Sequence, residues 1–245
     1  MIYFEALLCG NTLENMDHIY QELVDLDQYE MAFQDDEREV DARKLFKLKK
    51  PETGRSGTDA ILSLDGDDIE FELKTVGTGS GITTVRDFGP EHIKKWKNKH
   101  WLIGIYKKNK LQYYIYATPK DMELWITEKQ DYIKNDFELS KIIPKKLTSS
   151  DLFSLLGNKK KYSLDDARKL QKKQYSKEGY KEKMDLDNGY SPERMLDILK
   201  DRAEYLMKRG STLNNPHIPE SYYGDFPKIE NNHAKKLRDL VKTRP

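Results

Sequence analysis

Asp59, Glu72 and Lys74 are the residues of this sequence whose types and spacing could do chemistry: two carboxylates and an ammonium held on neighbouring strands. They lie in "GTDAILSLDGDDIEFELKT", residues 57–75, where two apolar-alternating runs flank an Asp-Gly pair. In the second run Ile69, Phe71 and Leu73 alternate with Glu70, Glu72 and Lys74, so a strand's period of two sets the charged groups on one face. With Asp65-Gly66 as the two-residue type I′ turn this dipeptide favours, Leu64 pairs with Asp67, Leu62 with Ile69, Ala60 with Phe71 and Asp59 with Glu72. Directly opposed side chains have Cβ atoms about 4.5–5.5 Å apart, and two bare carboxylates there repel. A divalent cation removes that repulsion. Mg²⁺ takes oxygen ligands, is commonly held by one or two carboxylates, and keeps positions for water and phosphate oxygens. A water beside the metal and Lys74 loses its proton more readily, and the same cations offset the charge that builds on a phosphodiester under attack. Asp, a gap, then Glu-x-Lys also arises by chance in a chain that is 35% charged. On these residues alone, an ordinary exposed hairpin and a phosphodiesterase centre both stay open.

Other chemistries find less support. Gly77, Gly79 and Gly81 lack the spacing and the Lys-Ser/Thr of a phosphate loop, and read as a flexible connection. The single Cys9 excludes an internal disulfide framework, has no neighbouring histidine to activate it, and with five scattered histidines gives no zinc spacing. Trp96, Trp101 and Trp125 read as core or interface aromatics. Nucleophilic catalysis by a side chain has no candidate.

The elements that must position the hairpin can be read around it. Asn11 and Glu14 begin a capping-box-like helix with Leu13, Met16, Ile19, Tyr20, Leu23 and Val24 at helical spacing. Pro90 opens a short basic helix, "WLIGIYKKNKLQYYIYAT" reads as a second hairpin, and Thr118 caps a helix beginning at Pro119. From about residue 137 to 210 strand signals fade and helical patterns take over, among them "SPERMLDILKDRAEYLMKRG" with Met195, Leu196, Ile198, Leu199, Ala203 and Leu206 on one side. The end is a Pro-punctuated loop and a short helix.

With 245 residues the chain suits one domain, or one domain with a substantial insertion. Its net charge of +1 conceals an asymmetry: residues 1–42 hold twelve Asp or Glu against Arg38, whereas residues 141–183 hold thirteen Lys or Arg against five acids. Such a layout suits a localised polyanion footprint or a plain solvated helix. The N-terminus lacks a basic leader and no apolar run reaches 18 residues, so a soluble, cytoplasmic protein is expected.

"GRSGTDA" followed by "EFELKT" resembles the active-site hairpin of the PD-(D/E)XK nucleases, and the surrounding segments resemble their PvuII-like branch of type II restriction endonucleases. The likeness runs from "FQD" through the hairpin to the Pro90 helix, "HWLIGIY" and the following "YAT", and resumes at "NNPHIP". It implies an α/β (α+β) restriction-endonuclease-like core, a central mixed β-sheet flanked by helices, with a helical insertion before the C-terminal segment. In that frame residues 1–136 hold a dimerisation helix and the catalytic core, 137–210 a lysine-rich insertion, and 211–245 a DNA-contacting segment of the same core. The resemblance further implies a homodimer that uses Mg²⁺ to cut both strands of duplex DNA at a short palindrome, partnered in the cell by a methyltransferase that protects host sites. Asp59 and Glu72 become metal ligands and Lys74 the water-orienting cation. Asp35 approaches bases from the minor groove, and Asn214 and Asn215 read an adenine or its neighbours, for which an Asn amide is suited. The sequence departs from the family where relatives carry a histidine-rich base-reading ribbon: here stand Thr83, Thr84, Val85, Arg86 and Asp87. Arg suits guanine and Asp accepts from cytosine, so a different target containing a G·C pair is expected. Thr58 replaces the motif's leading Pro. A structure-specific repair or recombination nuclease, and an inert DNA-binding module, are the competing readings.

Overall fold

The structure, a computed structural model, describes residues 36–51 and 57–244. The expected N-terminal helix, Cys9 and Asp35 therefore lie outside the described residues. A helix over 36–46 (α1) precedes the predicted hairpin, strands β1 (Ala60–Leu64) and β2 (Asp67–Gly77). Their register is the one the alternation requires, from Leu64 opposite Asp67 to Ala60 opposite Phe71. Asp65 and Gly66 both have positive φ, 54° and 99°, as a type I′ turn demands.

β2 runs on past the hairpin and pairs in parallel with β4 (His100–Lys107), Phe71 beside His100 through Gly77 beside Tyr106. Between them come β3 (Ile82–Thr83) and α2 (Pro90–Trp96), the latter opening on the predicted Pro90. β4 turns through Lys108 and Asn109, again both at positive φ, into the antiparallel β5 (Lys110–Ala117). Trp101 through Ile105 are all buried, the continuous apolar run of a strand covered on both faces. Thr118 and Asp121 then cap each other reciprocally and start α3 (Pro119–Ile142), with Pro119 in its first turn. After a 3₁₀ turn at Pro144–Lys146 follow α4 (Ser149–Leu156), α5 (Leu164–Gln171), α6 (Lys177–Glu182) and α7 (Pro192–Gly210). The chain ends in β6 (His217–Ile218), α8 (Glu220–Tyr223), β7 (Lys228–Ile229) and α9 (His233–Thr243).

The main sheet has the order β1-β2-β4-β5-β7 and is mixed, the α/β class expected. The chain divides into two compact units. One holds the described residues up to Ile82, with Asn98–Met122 and the segment from Ile218. Its core joins Phe46 of α1, Leu62, Phe71, Leu73, Leu102, Tyr116 and Ile229 of the sheet, and Leu237 and Val241 of α9.

The other unit holds Thr83–Lys97 and Glu123–His217. The predicted helical stretch falls in it, and its core gathers Leu152, Tyr162, Ala167, Tyr180, Tyr190, Met195, Ile198 and Leu199. α7 spans the residues its pattern assigned, but its apolar face is buried only in the first half; Leu206 is 50% exposed. Trp96 and Trp125 pack with Phe88 in this unit, and Trp101 is buried in the sheet. No helix among the described residues is long and apolar enough to cross a membrane.

Candidate active site

The hairpin delivers its charged residues to one place in the first unit. Asp59 sits one residue before β1, where its N–H still donates to the Phe71 carbonyl at 3.1 Å and its carboxylate Oδ2 accepts the Leu73 N–H at 2.8 Å. Glu72 is 4% exposed, and its Oε1 lies 2.8 Å from the Lys74 Nζ. Burial, and then the nearby Glu72 carboxylate, hold the Asp59 pKa above its ordinary value despite Lys74, the Leu73 N–H and Lys99. Burial alone would pull the Lys74 ammonium down; Glu72, Asp59 and Glu39 outweigh it, and its pKa lies above the ordinary lysine value. Glu70, on the same strand, is drawn away from this group by the Thr58 hydroxyl, which donates to Glu70 Oε2 at 2.6 Å.

Two groups in this cluster escaped the sequence reading. Glu39 of α1 is held by Arg43, whose Nη1 donates to Glu39 Oε2 at 3.3 Å and to the Asp59 carbonyl at 3.1 Å. Burial and then Asp59 raise the Glu39 pKa. Lys99, the residue before β4, is 1% exposed; its Nζ lies 3.2 Å from Glu72 Oε2 and also donates to the Gly57 carbonyl. One carboxylate therefore carries two lysines, one on each oxygen. No local periodicity marks Lys99, because its place beside Glu72 depends on the parallel pairing of β2 with β4.

The donor set suits a hard cation. Asp59 and Glu72 offer oxygen, Glu72 sits close enough to raise the proton affinity of Asp59, and the pair gains from a divalent charge between its members. They are a pair: among the described residues no group of three or more His, Cys, Asp or Glu side chains is arranged to hold a metal.

Of the expected base-reading residues, Thr83, Thr84, Arg86, Asp87, Asn214 and Asn215 lie in the second unit, where two distant segments meet. Phe88 and Leu213 exchange backbone hydrogen bonds at 2.8 and 2.9 Å, the Asn215 N–H donates to the Val85 carbonyl at 3.1 Å, and the Thr84 hydroxyl donates to the Pro216 carbonyl at 2.6 Å. Thr83, Arg86, Asp87 and Asn214 are exposed and Asn215 is half-buried. Asp87 and Asn215 take positive φ, 56° and 47°, a conformation Asn and Asp tolerate better than most residues. Arg209 of α7 approaches Asp87 at 3.9 Å.

A five-stranded mixed sheet whose first hairpin carries Asp59, Glu72 and Lys74 is a restriction-endonuclease-like core. Residues 11–151, more than half the chain, match the family Restriction endonuclease PvuII, and the protein belongs to that family. It is accordingly a type II restriction endonuclease: a nuclease that binds DNA and hydrolyses it. Comparison with curated proteins returns no match.

Proposed function

We propose that the protein is a homodimeric, Mg²⁺-dependent enzyme that makes double-strand cuts at a short palindrome, with Asp59, Glu72 and Lys74 as its catalytic residues. A cytoplasmic location and a cognate methyltransferase complete the reading. The observation that carries it is the cluster itself: two mutually repelling carboxylates, one nearly buried, beside a lysine two residues on.

Asp59 and Glu72 would hold the cation, which when bound would supply Lewis-acid chemistry that acidifies water and offsets phosphate charge. Lys74 orients the attacking water by hydrogen bonding to its oxygen, and its ammonium stabilises the negative charge that develops there. The water oxygen adds to phosphorus as its proton passes to solvent, the opposite P–O ester bond breaks, and the departing oxygen takes a proton from a solvent water. The Leu73 N–H fixes the Asp59 carboxylate, so that group does not have to be ordered during the reaction. Base reading falls to Asp35, Thr83, Thr84, Arg86, Asp87, Asn214 and Asn215. Arg86 and Asp87, where relatives carry histidines, favour a target with a G·C pair.

Lys74→Ala tests the division of labour. It is expected to bind duplex DNA in Ca²⁺ as well as the parent while cleaving roughly 10²–10³-fold more slowly in Mg²⁺. Loss of DNA binding with the remaining cleavage rate unaltered would contradict the role given to this lysine.

A further inference from the structure

The reaction as described leaves Lys99 unused, and the setting of this lysine is unusual. An ammonium removed from water is costly, so a lysine at 1% exposure needs partners that hold it there. It has two, and they belong to the two chain segments that carry the acids. Glu72 Oε2 lies on β2, and the Gly57 carbonyl lies two residues before Asp59. A single ammonium thereby ties the approach to Asp59 to the carboxylate of Glu72. Gly57 adopts positive φ, 71°, which places this carbonyl in a conformation that few other residues would sustain.

With Asp59 and Glu72 ionised, Lys74 and Lys99 already balance them one for one. A divalent cation entering the pair then meets two ammonium groups, with Lys74 on Glu72 Oε1 and Lys99 on Oε2. Lys74 is required near the attacked phosphate. Lys99 is too deeply buried to reach a substrate, so its charge acts through Glu72.

We infer that Lys99 is a positioning residue of the nuclease: it fixes the Glu72 carboxylate against the Gly57 carbonyl, and in doing so weakens cation binding while raising turnover. This rests on the reading of Glu72 as a cation ligand. A residue that merely supported the fold would change stability and leave cation affinity alone.

The test measures Mn²⁺ affinity of the DNA-free enzyme by calorimetry, beside kcat and KM for cleavage of duplex DNA at saturating Mg²⁺. Lys99→Met is expected to bind Mn²⁺ about tenfold more tightly, since a like charge a few ångströms away has gone. Its kcat should fall at least about tenfold with KM for DNA little changed, as a loosened catalytic group predicts. Lys99→Arg, which keeps the charge, should keep the parent's Mn²⁺ affinity. Should Lys99→Met not fold, Lys99→Gln retains a donor for Gly57 without the charge, and the same tightening is expected. Unchanged or weaker Mn²⁺ binding in the folded uncharged variant would overturn the inference. Glu72→Gln separates the two claims: if it binds Mn²⁺ like the parent, Glu72 is no ligand and the proposed function fails first. If it loses Mn²⁺ while Lys99→Met is unaltered, the role of Lys99 alone fails.

Discussion

Glu72 has opposite neighbours from two directions, and the balance they strike governs the site. Asp59 pushes against it, Lys74 and Lys99 hold it, and Arg43 fastens Glu39 and the Asp59 backbone on the far side. Such clusters persist because every member has a partner; a buried carboxylate stripped of its cations costs far more than the pair contributes. At the same scale His100 offers a pH prediction. Burial lowers its pKa from 6.5 to about 4, against a raising effect of Asp121, and its Nδ1 lies 2.7 Å from the Tyr116 hydroxyl. The unfolded chain takes up this proton as pH falls below about 6.5 and the folded protein does not, so His100 favours folding above that range. That contribution is lost progressively on acidification towards pH 4. Urea denaturation at pH 7 and pH 5 should show a smaller acid loss of stability in His100→Gln than in the parent. Equal losses would remove His100 from the account.

At the scale of elements, local patterns were legible where two or three residues settle a turn or a cap. Asp65-Gly66 set the hairpin register, the Lys-Lys-Asn-Lys turn closed the second hairpin, and Thr118 and Pro119 started α3. What was not legible is non-local. Nothing in "NKHWL" shows that Lys99 will lie beside Glu72, because parallel pairing of β2 and β4 brings in a crossover with its own helix. The backbone bonds between residues 85–88 and 213–215 were hidden for the same reason, although resemblance had nominated both segments for DNA. The long helical stretch also breaks where its lysines gave no warning: Lys172 and Lys173 take positive φ, 52° and 63°, and separate α5 from α6. One glycine in that unit is indispensable on geometric grounds. A Cβ on Gly189 would stand 2.8 Å from the Tyr162 carbonyl oxygen, within the paired turn where Tyr162 and Tyr190 exchange backbone bonds. Gly189→Ala should lower stability by about 1–3 kcal/mol, read as a drop in melting temperature. Gly210→Ala, at the end of α7 with open space around it, should be neutral or stabilising by up to about 1 kcal/mol. Matching effects at the two glycines would contradict the packing described.

For the molecule as a whole, the charge asymmetry of the sequence takes a more limited meaning in the structure. Within the lysine-rich stretch, Lys159 pairs with Asp166 at 2.8 Å and Lys161 donates to the Asp187 carbonyl at 2.6 Å, while Lys160 is exposed. A phosphate clamp built from these three lysines would have to break internal partners. Each phosphate neutralised contributes about −0.9 to the slope of log K against log salt. Neutralising all three is therefore expected to flatten the slope by about one unit, not three, and to weaken binding evenly across sequences. A change near three units would mean that the internal partners yield to DNA; no change would remove the clamp. The central claim concerns cleavage, and a digest of a sequenced plasmid tests it most directly. The purified chain is incubated with plasmid and Mg²⁺, ends are mapped, and Asp59→Ala is run alongside. Discrete fragments whose ends share one short palindrome, absent without Mg²⁺ and absent with Asp59→Ala, are the expected result. A smear, cutting confined to branched DNA, or an Asp59→Ala enzyme that cuts at the parent's rate would contradict it.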